Sequence, residues 1–247
     1  MIDPLLLSAV KVLTFNAGRQ LTNASGFLFE RNERLFLVTS RHVVRDEASG
    51  HFPDLVRIAL HVDRDNIARL MDFEIPLYRN QKSVWRQGND AAGDIDVAVI
   101  ELQRSALPAD LVYCAFTVDH LLGDEHVDVG TSLLIAGFPL GFQDTLHQLP
   151  VVRHATIASC FDLRFQGQGY FLTDARTHSG MSGAPVVMRA KDRSGQVGRL
   201  PWMLLGVHSA RLDVGTRDAS IDEGLGLNCA WFADALLPLS EGRSFSP

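Results

Sequence analysis

The residues best suited to chemistry are a serine and the small residues around it. Residues 177–187 read THSGMSGAPVV, in which Ser182 lies between Gly180 and Gly183. A serine hydroxyl is a weak nucleophile at its own pKa, so it needs a neighbouring base and a site for the oxyanion. Small flanking residues let the backbone curl until the N–H groups of Gly180 and Ser182 converge on one oxygen atom. The segment predicts covalent catalysis by Ser182, although a plain Gly/Ser turn before an edge strand would read similarly.

Two earlier segments offer the base and its carboxylate. RLFLVTSRHVV places His42 just after an apolar strand, and DIDVAVIEL places Asp96 at the head of another. If these residues act with Ser182, the imidazole takes the serine proton and the carboxylate holds the imidazole in the required tautomer. Asp94 precedes the same strand and competes for the carboxylate role. A core histidine bonded to backbone is the alternative interpretation of His42.

The elements that position these residues are predicted to be short strands. Apolar runs bounded by Gly, Asn, Asp and Pro recur along the chain, which is typical of β-strands. The runs GFLFE and RLFLVTS, joined by RNE, predict a β-hairpin. Helical spacing is scarce, and its best late example is the segment from Asn228 to Leu239. The pattern predicts an all-β protein with a short C-terminal helix.

Composition excludes several classes of function. The 247 residues are 46% hydrophobic and carry a net charge of -6, without the clustered Lys and Arg that phosphate binding requires. The longest apolar runs fall far short of the roughly 20 residues of a membrane span. The sequence therefore predicts a soluble globular protein that binds neither nucleic acid nor membranes.

The cysteines and the first residues suggest a compartment. Cys114, Cys160 and Cys229 are odd in number and lack metal-ligand spacing, so we expect three buried free thiols and neither a metal site nor another cofactor. The opening MIDPLLLSAVKVL has no basic region or cleavage site of a secretory signal. We expect a cytoplasmic protein.

Three blocks in the correct order resemble one family. TSRHVV, DVAVIEL and TDARTHSGMSGAPV are similar to the histidine, aspartate and serine blocks of the chymotrypsin-like (trypsin-fold) serine proteases, and SLLIAGFP resembles the start of their second barrel. The bacterial high-temperature-requirement proteases and glutamyl endopeptidases are the most similar types. The pattern D-V-A-V-I-E-L favours Asp96 over Asp94.

The resemblance implies an all-β fold of two six-stranded antiparallel β-barrels with a short C-terminal helix and the catalytic residues in the cleft between the barrels. It predicts four segments: an N-terminal barrel at 8–110, a connector at 111–127, a second barrel with the terminal helix at 128–240, and a tail at 241–247.

The implied function is serine endopeptidase activity on protein or peptide substrates through an acyl-enzyme, with a possible protein partner in the same pathway. Digestive members carry an aspartate immediately before the nucleophile, where it receives a newly cut N-terminal amine. Met181 stands there in this sequence, so we expect an active site that forms without zymogen processing.

A catalytically silent protease fold used as a binding or effector module is the alternative to the endopeptidase. An α/β-hydrolase esterase would require the order Ser, Asp, His, which this chain lacks.

Similarity to glutamyl endopeptidases and picornaviral cysteine proteases extends to the specificity pocket. In those enzymes a threonine and a histidine, here Thr177 and His208, hold a Glu or Gln side chain of the substrate. The strand that continues past His208 would line the pocket with Ser209, Ala210 and Arg211. The alternative is a small apolar pocket with His208 buried in its strand.

Overall fold

The structure is a computed structural model that describes residues 2–121, 126–190, 200–211 and 226–242, with only the backbone of Arg211. The sequence KDRSGQVGRL predicts a polar hairpin loop at residues 191–200. Residues 191–199 of this loop and residues 243–247 of the predicted tail lie outside the described residues. Within the described ranges, no helix is both long enough and apolar enough to cross a membrane.

The first half of the chain folds into strands around one turn of helix, preceded by a 3-10 turn at Pro4–Leu7. The elements are β1 Ala9–Asn16, β2 Arg19–Arg31, β3 Arg34–Thr39, α1 Arg41–Val44, β4 Leu55–His61, β5 Leu70–Pro76, β6 Tyr78–Arg79, β7 Lys82–Ser83, β8 Trp85–Arg86, β9 Asn89–Asp90, β10 Gly93–Asp94, β11 Ala98–Leu102 and β12 Phe116–Thr117, with 3-10 turns at Arg104–Ala106 and Val118–His120.

The second half contains six strands and the terminal helix. They are β13 Ser132–Gly137, β14 Val151–Ile157, β15 Tyr170–Asp174, β16 Pro185–Arg189, β17 Trp202–Arg211, β18 Leu227–Phe232 and α2 Leu236–Glu241, with 3-10 turns at Pro139–Gly141, Phe165–Gly167 and Ala233–Ala235.

The predicted hairpin is confirmed as β2 and β3. The two strands pair from Phe27 opposite Val38 to Arg31 opposite Arg34. The two linking residues, Asn32 and Glu33, have φ of 50° and 61°, which matches the turn whose twist suits paired strands. Strand β3 is almost wholly buried and is flanked by β2 and β11, so it lies in the middle of its sheet.

The predicted fold class is confirmed. In the described ranges the second half forms a closed barrel in the order β13-β14-β15-β18-β17-β16. The first half forms a curled eight-stranded sheet in the order β5-β4-β1-β2-β3-β11-β8, with β12 added beside β2. In the described ranges this sheet is open, with β5 and β8 as its edge strands, and does not close into the six-stranded barrel that the resemblance implies.

The connector at 111–127 and the other predicted boundaries stay predictions. Strand β12 lies inside this connector and pairs in parallel with β2, so part of the segment extends the first sheet. Apolar side chains from both halves share one core, in which Phe27 and Val38 of the first sheet pack with Leu204 and Trp231 of the barrel.

The helix predicted from Asn228 to Leu239 is wrong in its first half. Residues Leu227–Phe232 form strand β18, whose Trp231 lies opposite both Tyr170 and Val207. Pairing on both sides closes the barrel and outweighs a weak helical spacing. The helix itself begins at Leu236.

The three cysteines are free, but they are not all buried as predicted. Cys229 is buried, Cys114 is partly buried and Cys160 is exposed. The cytoplasmic location stays a prediction.

Candidate active site

Strand register brings Asp96 beside His42. Because β3 and β11 are antiparallel with Thr39 opposite Ala98, the residues after Thr39 lie beside those before Ala98. The Asp96 Oδ1 atom accepts a hydrogen bond from the backbone N–H of His42 at 2.9 Å, and Oδ2 lies 2.7 Å from the imidazole Nδ1. Both carboxylate oxygens therefore hold His42, one through its backbone and one through its ring.

This contact determines the tautomer of the imidazole. An ionised carboxylate only accepts hydrogen bonds, so Nδ1 of His42 carries the proton and Nε2 keeps a free lone pair. Burial by itself lowers the pKa of His42, but the hydrogen bond and charge of Asp96, with a further contribution from Asp46, outweigh burial and raise the pKa above its ordinary value. The ring is therefore arranged to accept a proton at Nε2.

The competing carboxylate, Asp94, lies elsewhere. It pairs with Arg41 at 3.6 Å and accepts a hydrogen bond from Asn89 Nδ2 at 2.6 Å. The preference for Asp96 thus agrees with the geometry.

Ser182 lies between β15 and β16 and shares a cleft of about 540 Å³ with His42 and Gly180. Its hydroxyl donates to the backbone carbonyl of Ser209 at 3.0 Å, and not to His42. Rotation about the Ser182 Cα–Cβ bond would redirect the hydroxyl, and in ligand-free enzymes this catalytic hydrogen bond often closes only when substrate binds.

The two backbone groups expected to bind an oxyanion belong to peptide units whose carbonyls are held in place. The Ser179 carbonyl accepts from Leu140 N–H at 2.6 Å, and the Met181 carbonyl accepts from Ala184 N–H at 3.0 Å. In a trans peptide the N–H points opposite to the carbonyl. The N–H groups of Gly180 and Ser182 consequently point away from these partners.

Gly180 could not be another residue without a shift of the loop. Its φ is +94°, and a Cβ atom would lie 2.5 Å from the Phe138 carbonyl oxygen and 2.7 Å from Asn23 Oδ1. The predicted use of Gly180 for its small size therefore has a structural reason.

Thr177 and His208 are both buried near residues 179–183, the segment around Ser182 that we call the nucleophile loop. The Thr177 hydroxyl donates to Asn228 Oδ1, because Asn228 Nδ2 is occupied with the carbonyls of Ala175 and Gly226 at 2.8 and 3.2 Å. The single hydroxyl proton of Thr177 is thereby used, and the oxygen is left as an acceptor.

His208 is held by its backbone, with N–H donating to the Ala184 carbonyl at 2.8 Å and C=O accepting from Gly183 N–H at 2.7 Å. Burial, followed by the charge of His42, lowers the pKa of the His208 imidazole to about 4. Its Nδ1 is buried without a hydrogen-bond partner among the residues that the structure describes. The ring is therefore neutral near pH 7 and has unused hydrogen-bonding capacity.

The other predicted pocket residues differ in their placement. The Ser209 side chain donates to Asp96 Oδ2 at 2.5 Å, so its hydroxyl supports the carboxylate. Ala210 is exposed, and the backbone of Arg211 ends β17 opposite Asn228. Residues 212–225, which follow β17 in the sequence, lie outside the described residues.

Sequence analysis missed Ser25 and Asn228, which contact the nucleophile loop and Thr177. A signal for Ser25 existed, since Ala24, Ser25 and Gly26 are small residues inside a strand pattern, which indicates close backbone approach. Gly26 confirms that approach, because a Cβ there would lie 2.8 Å from the Val38 carbonyl oxygen. Asn228 gave no comparable signal.

Solved structures share this architecture at low sequence identity. A serine endoprotease from Yersinia pestis aligns with a TM-score of 0.55 and 15% identity over 96% of this chain and 62% of that chain. This chain thus spans less than two thirds of the Yersinia chain. A serine-to-alanine mutant of Rv3671c from M. tuberculosis H37Rv, in its inactive form, aligns with a TM-score of 0.54 and 16% identity over 96% of this chain and 89% of that chain.

A search of curated proteins found no match. The family model described as a trypsin-like peptidase domain matches residues 24–197, a range that contains the His42–Asp96 pair and the Ser182 loop. The chain therefore belongs to the trypsin-like peptidase family, the family of serine endopeptidases that its three sequence blocks predicted.

Proposed function

We propose that the protein cleaves protein or peptide substrates as a serine endopeptidase in which His42, Asp96 and Ser182 form the catalytic triad. Ser182 Oγ bonds to the substrate carbonyl carbon while its proton passes to Nε2 of His42. The imidazolium then gives that proton to the departing amine as the C–N bond breaks. Water hydrolyses the resulting ester by the same route in reverse. Acylation and hydrolysis each pass through a tetrahedral intermediate with a negatively charged oxygen, and the N–H groups of Gly180 and Ser182 would stabilise that oxygen in both steps.

The observation that carries this proposal is the pair of hydrogen bonds that His42 donates to Asp96, with His42 in the same cleft as Ser182. A fluorophosphonate probe tests it directly, since labelling requires an activated serine. Labelling of the folded protein that disappears in Ser182→Ala supports the enzyme. A folded protein that resists the probe supports the alternative of a silent binding module.

The proposed base makes the pH dependence testable. Activity requires neutral His42, so it rises with pH through the pKa of His42, and the raised pKa places that rise above pH 6.5. Asp46→Asn removes a negative charge that raises this pKa, and the rise in kcat/KM should move to lower pH by less than about 0.5, because the site is partly exposed to solvent. The control is Asp72→Asn. Asp72 lies on β5 and its carboxylate pairs with Arg57 of β4. An Asp46→Asn profile that moves to higher pH would contradict the assignment.

We propose that the substrate residue before the scissile bond is Gln or Glu, with Gln preferred. The Thr177 oxygen is left as an acceptor, and neutral His208 supplies a ring N–H. A Gln side chain offers the matching N–H and C=O groups. A Glu carboxylate has no N–H for Thr177 and would meet an uncharged imidazole.

A peptide library measures this preference. At pH 7.5 we expect kcat/KM for Gln to exceed that for Glu by about 10-fold, the worth of one hydrogen bond to a buried group. The ratio should shrink as pH falls and the Glu carboxyl gains a proton. His208→Ala should remove most of the preference, whereas His154→Ala on β14 should leave it unchanged. Cleavage after Val, Ala or Leu with Gln and Glu disfavoured would refute the pocket assignment.

We further propose that the site forms without proteolytic processing. Met181 is wholly buried among apolar residues of the barrel, and a thioether offers no charge to an incoming ammonium group. Protein carrying an uncleavable N-terminal extension should therefore match the kcat/KM of protein without it. A requirement for a processed N-terminus, seen as activity only after the extension is removed, would overturn this view.

A further inference from the structure

Ser25, on strand β2 of the first sheet, makes hydrogen bonds to the nucleophile loop of the barrel through both its backbone and its side chain. Its backbone N–H donates to the Ser182 carbonyl at 2.9 Å. Its hydroxyl donates to the Gly180 carbonyl at 2.7 Å and accepts from the N–H of Phe138 at 3.0 Å. The side chain is fully buried, so water cannot replace these bonds.

These bonds complete the restraint of the nucleophile loop. The carbonyls of Ser179 and Met181 are held by Leu140 and Ala184, whereas those of Gly180 and Ser182 are held by Ser25. Four successive peptide units, from Ser179 to Ser182, therefore have fixed carbonyls. Since each peptide is a rigid plane, the directions of the two N–H groups proposed to bind the oxyanion depend on this complete set.

Ser25 also acts on the loop that holds Ser179. Its bond to Phe138 anchors the residue just before the turn at Pro139–Gly141, and Leu140 in that turn donates to the Ser179 carbonyl. The packing around Ser25 is close: a Cβ on Gly137 would lie 2.6 Å from Ser25 Oγ, and a Cβ on Gly183 would lie 2.2 Å from the Ser25 carbonyl oxygen.

We infer that Ser25 is a positioning residue for the oxyanion site, through which the first sheet sets the orientation of the nucleophile loop. The inference rests on the proposed endopeptidase function for its catalytic consequence. Its structural part is independent, because the restraint applies to the loop whether or not substrate is present.

Ser25→Ala removes the hydroxyl and leaves the Gly180 carbonyl and the Phe138 N–H without their partner. We expect kcat to fall about 10- to 100-fold, somewhat less than the loss of a whole oxyanion donor, with KM changed less than threefold. Affinity for a peptide trifluoromethyl ketone, which forms an oxyanion on the nucleophile, should weaken by the same factor as kcat. Affinity for the corresponding product peptide should not change.

Ser8→Ala is the matched control, because Ser8 is also fully buried and its hydroxyl donates to one carbonyl, that of Leu5, at 2.8 Å. It should lower Tm without changing kcat or ketone affinity. If Ser25→Ala does not fold, Ser25→Cys keeps a side-chain atom in place with a weaker donor and should show the same kinetic pattern, reduced in size.

Amide hydrogen exchange provides a readout that needs no catalysis. In Ser25→Ala, exchange should accelerate in residues 138–142 and 179–183 and stay unchanged in β14. Faster exchange in these segments supports the inference even if the wild-type protein hydrolyses no peptide, an outcome that would refute the proposed function alone. Unchanged exchange, or an active wild type whose Ser25→Ala variant keeps its kcat and ketone affinity, overturns the role of Ser25.

Discussion

Replacing Ser182 by alanine is expected to reduce turnover by about 10,000-fold or more while the fold stays intact. Ser182 is partly exposed and its hydroxyl donates to the Ser209 carbonyl, so its removal costs little packing. Without it, no acyl-enzyme can form, and only binding and oxyanion stabilisation remain. The measurement is kcat on a peptide found by library screening, with circular dichroism and Tm as checks on the fold.

His42→Ala and Asp96→Asn are expected to cause losses of similar order, because the three residues act as a unit. The Ser182→Ala/His42→Ala double variant should therefore be scarcely slower than either single variant. Asp94→Asn is the matched control for Asp96→Asn, since Asp94 pairs with Arg41 and lies off the imidazole. Near-native cleavage by Ser182→Ala, or multiplicative losses in the double variant, would contradict the proposed triad.

Replacing Gly180 by alanine is expected to reduce kcat by about 100- to 1,000-fold, the usual cost of losing one oxyanion donor. The new Cβ would lie 2.5 Å from the Phe138 carbonyl oxygen, so either the Ser179–Gly180 peptide or the Pro139–Gly141 turn must move. Either movement disturbs the Leu140 to Ser179 hydrogen bond and turns the Gly180 N–H from its direction. KM should change much less than kcat.

Gly167→Ala separates this effect from simple backbone strain. Gly167 also has a positive φ, +76°, but a Cβ there would meet nothing within 4 Å. Both variants should lose stability from the left-handed conformation, roughly 1 kcal/mol, and only Gly180→Ala should lose turnover. A Gly180→Ala enzyme with kcat within tenfold of wild type would show that this peptide does not supply the oxyanion donor.

Local patterns in the sequence were sufficient to predict a mainly β protein, the hairpin and the family. The hairpin between β2 and β3 follows from two apolar runs and a short polar turn, which is a local signal. The choice of Asp96 over Asp94 was also possible, because β3 and β11 each carry a recognisable apolar pattern next to the relevant residue. The late helix was misjudged from Asn228 to Phe232, because pairing with β15 and β17 depends on strands far away in the sequence.

The sequence by itself therefore determined the fold class and the residue types of the proposed catalytic set, since these depend on short runs and on their order along the chain. Only the tertiary structure decided how those residues are held. Ser25 and Gly180 are 155 positions apart, and Thr177 and Asn228 are 51 apart, so no spacing rule connects them. The same holds for His208, whose neutral imidazole results from complete burial. Hydrogen-bond partners and burial are set only when distant strands pack together. They decide to which group the Thr177 hydroxyl donates, what charge the His208 imidazole carries and in which direction the Gly180 N–H points.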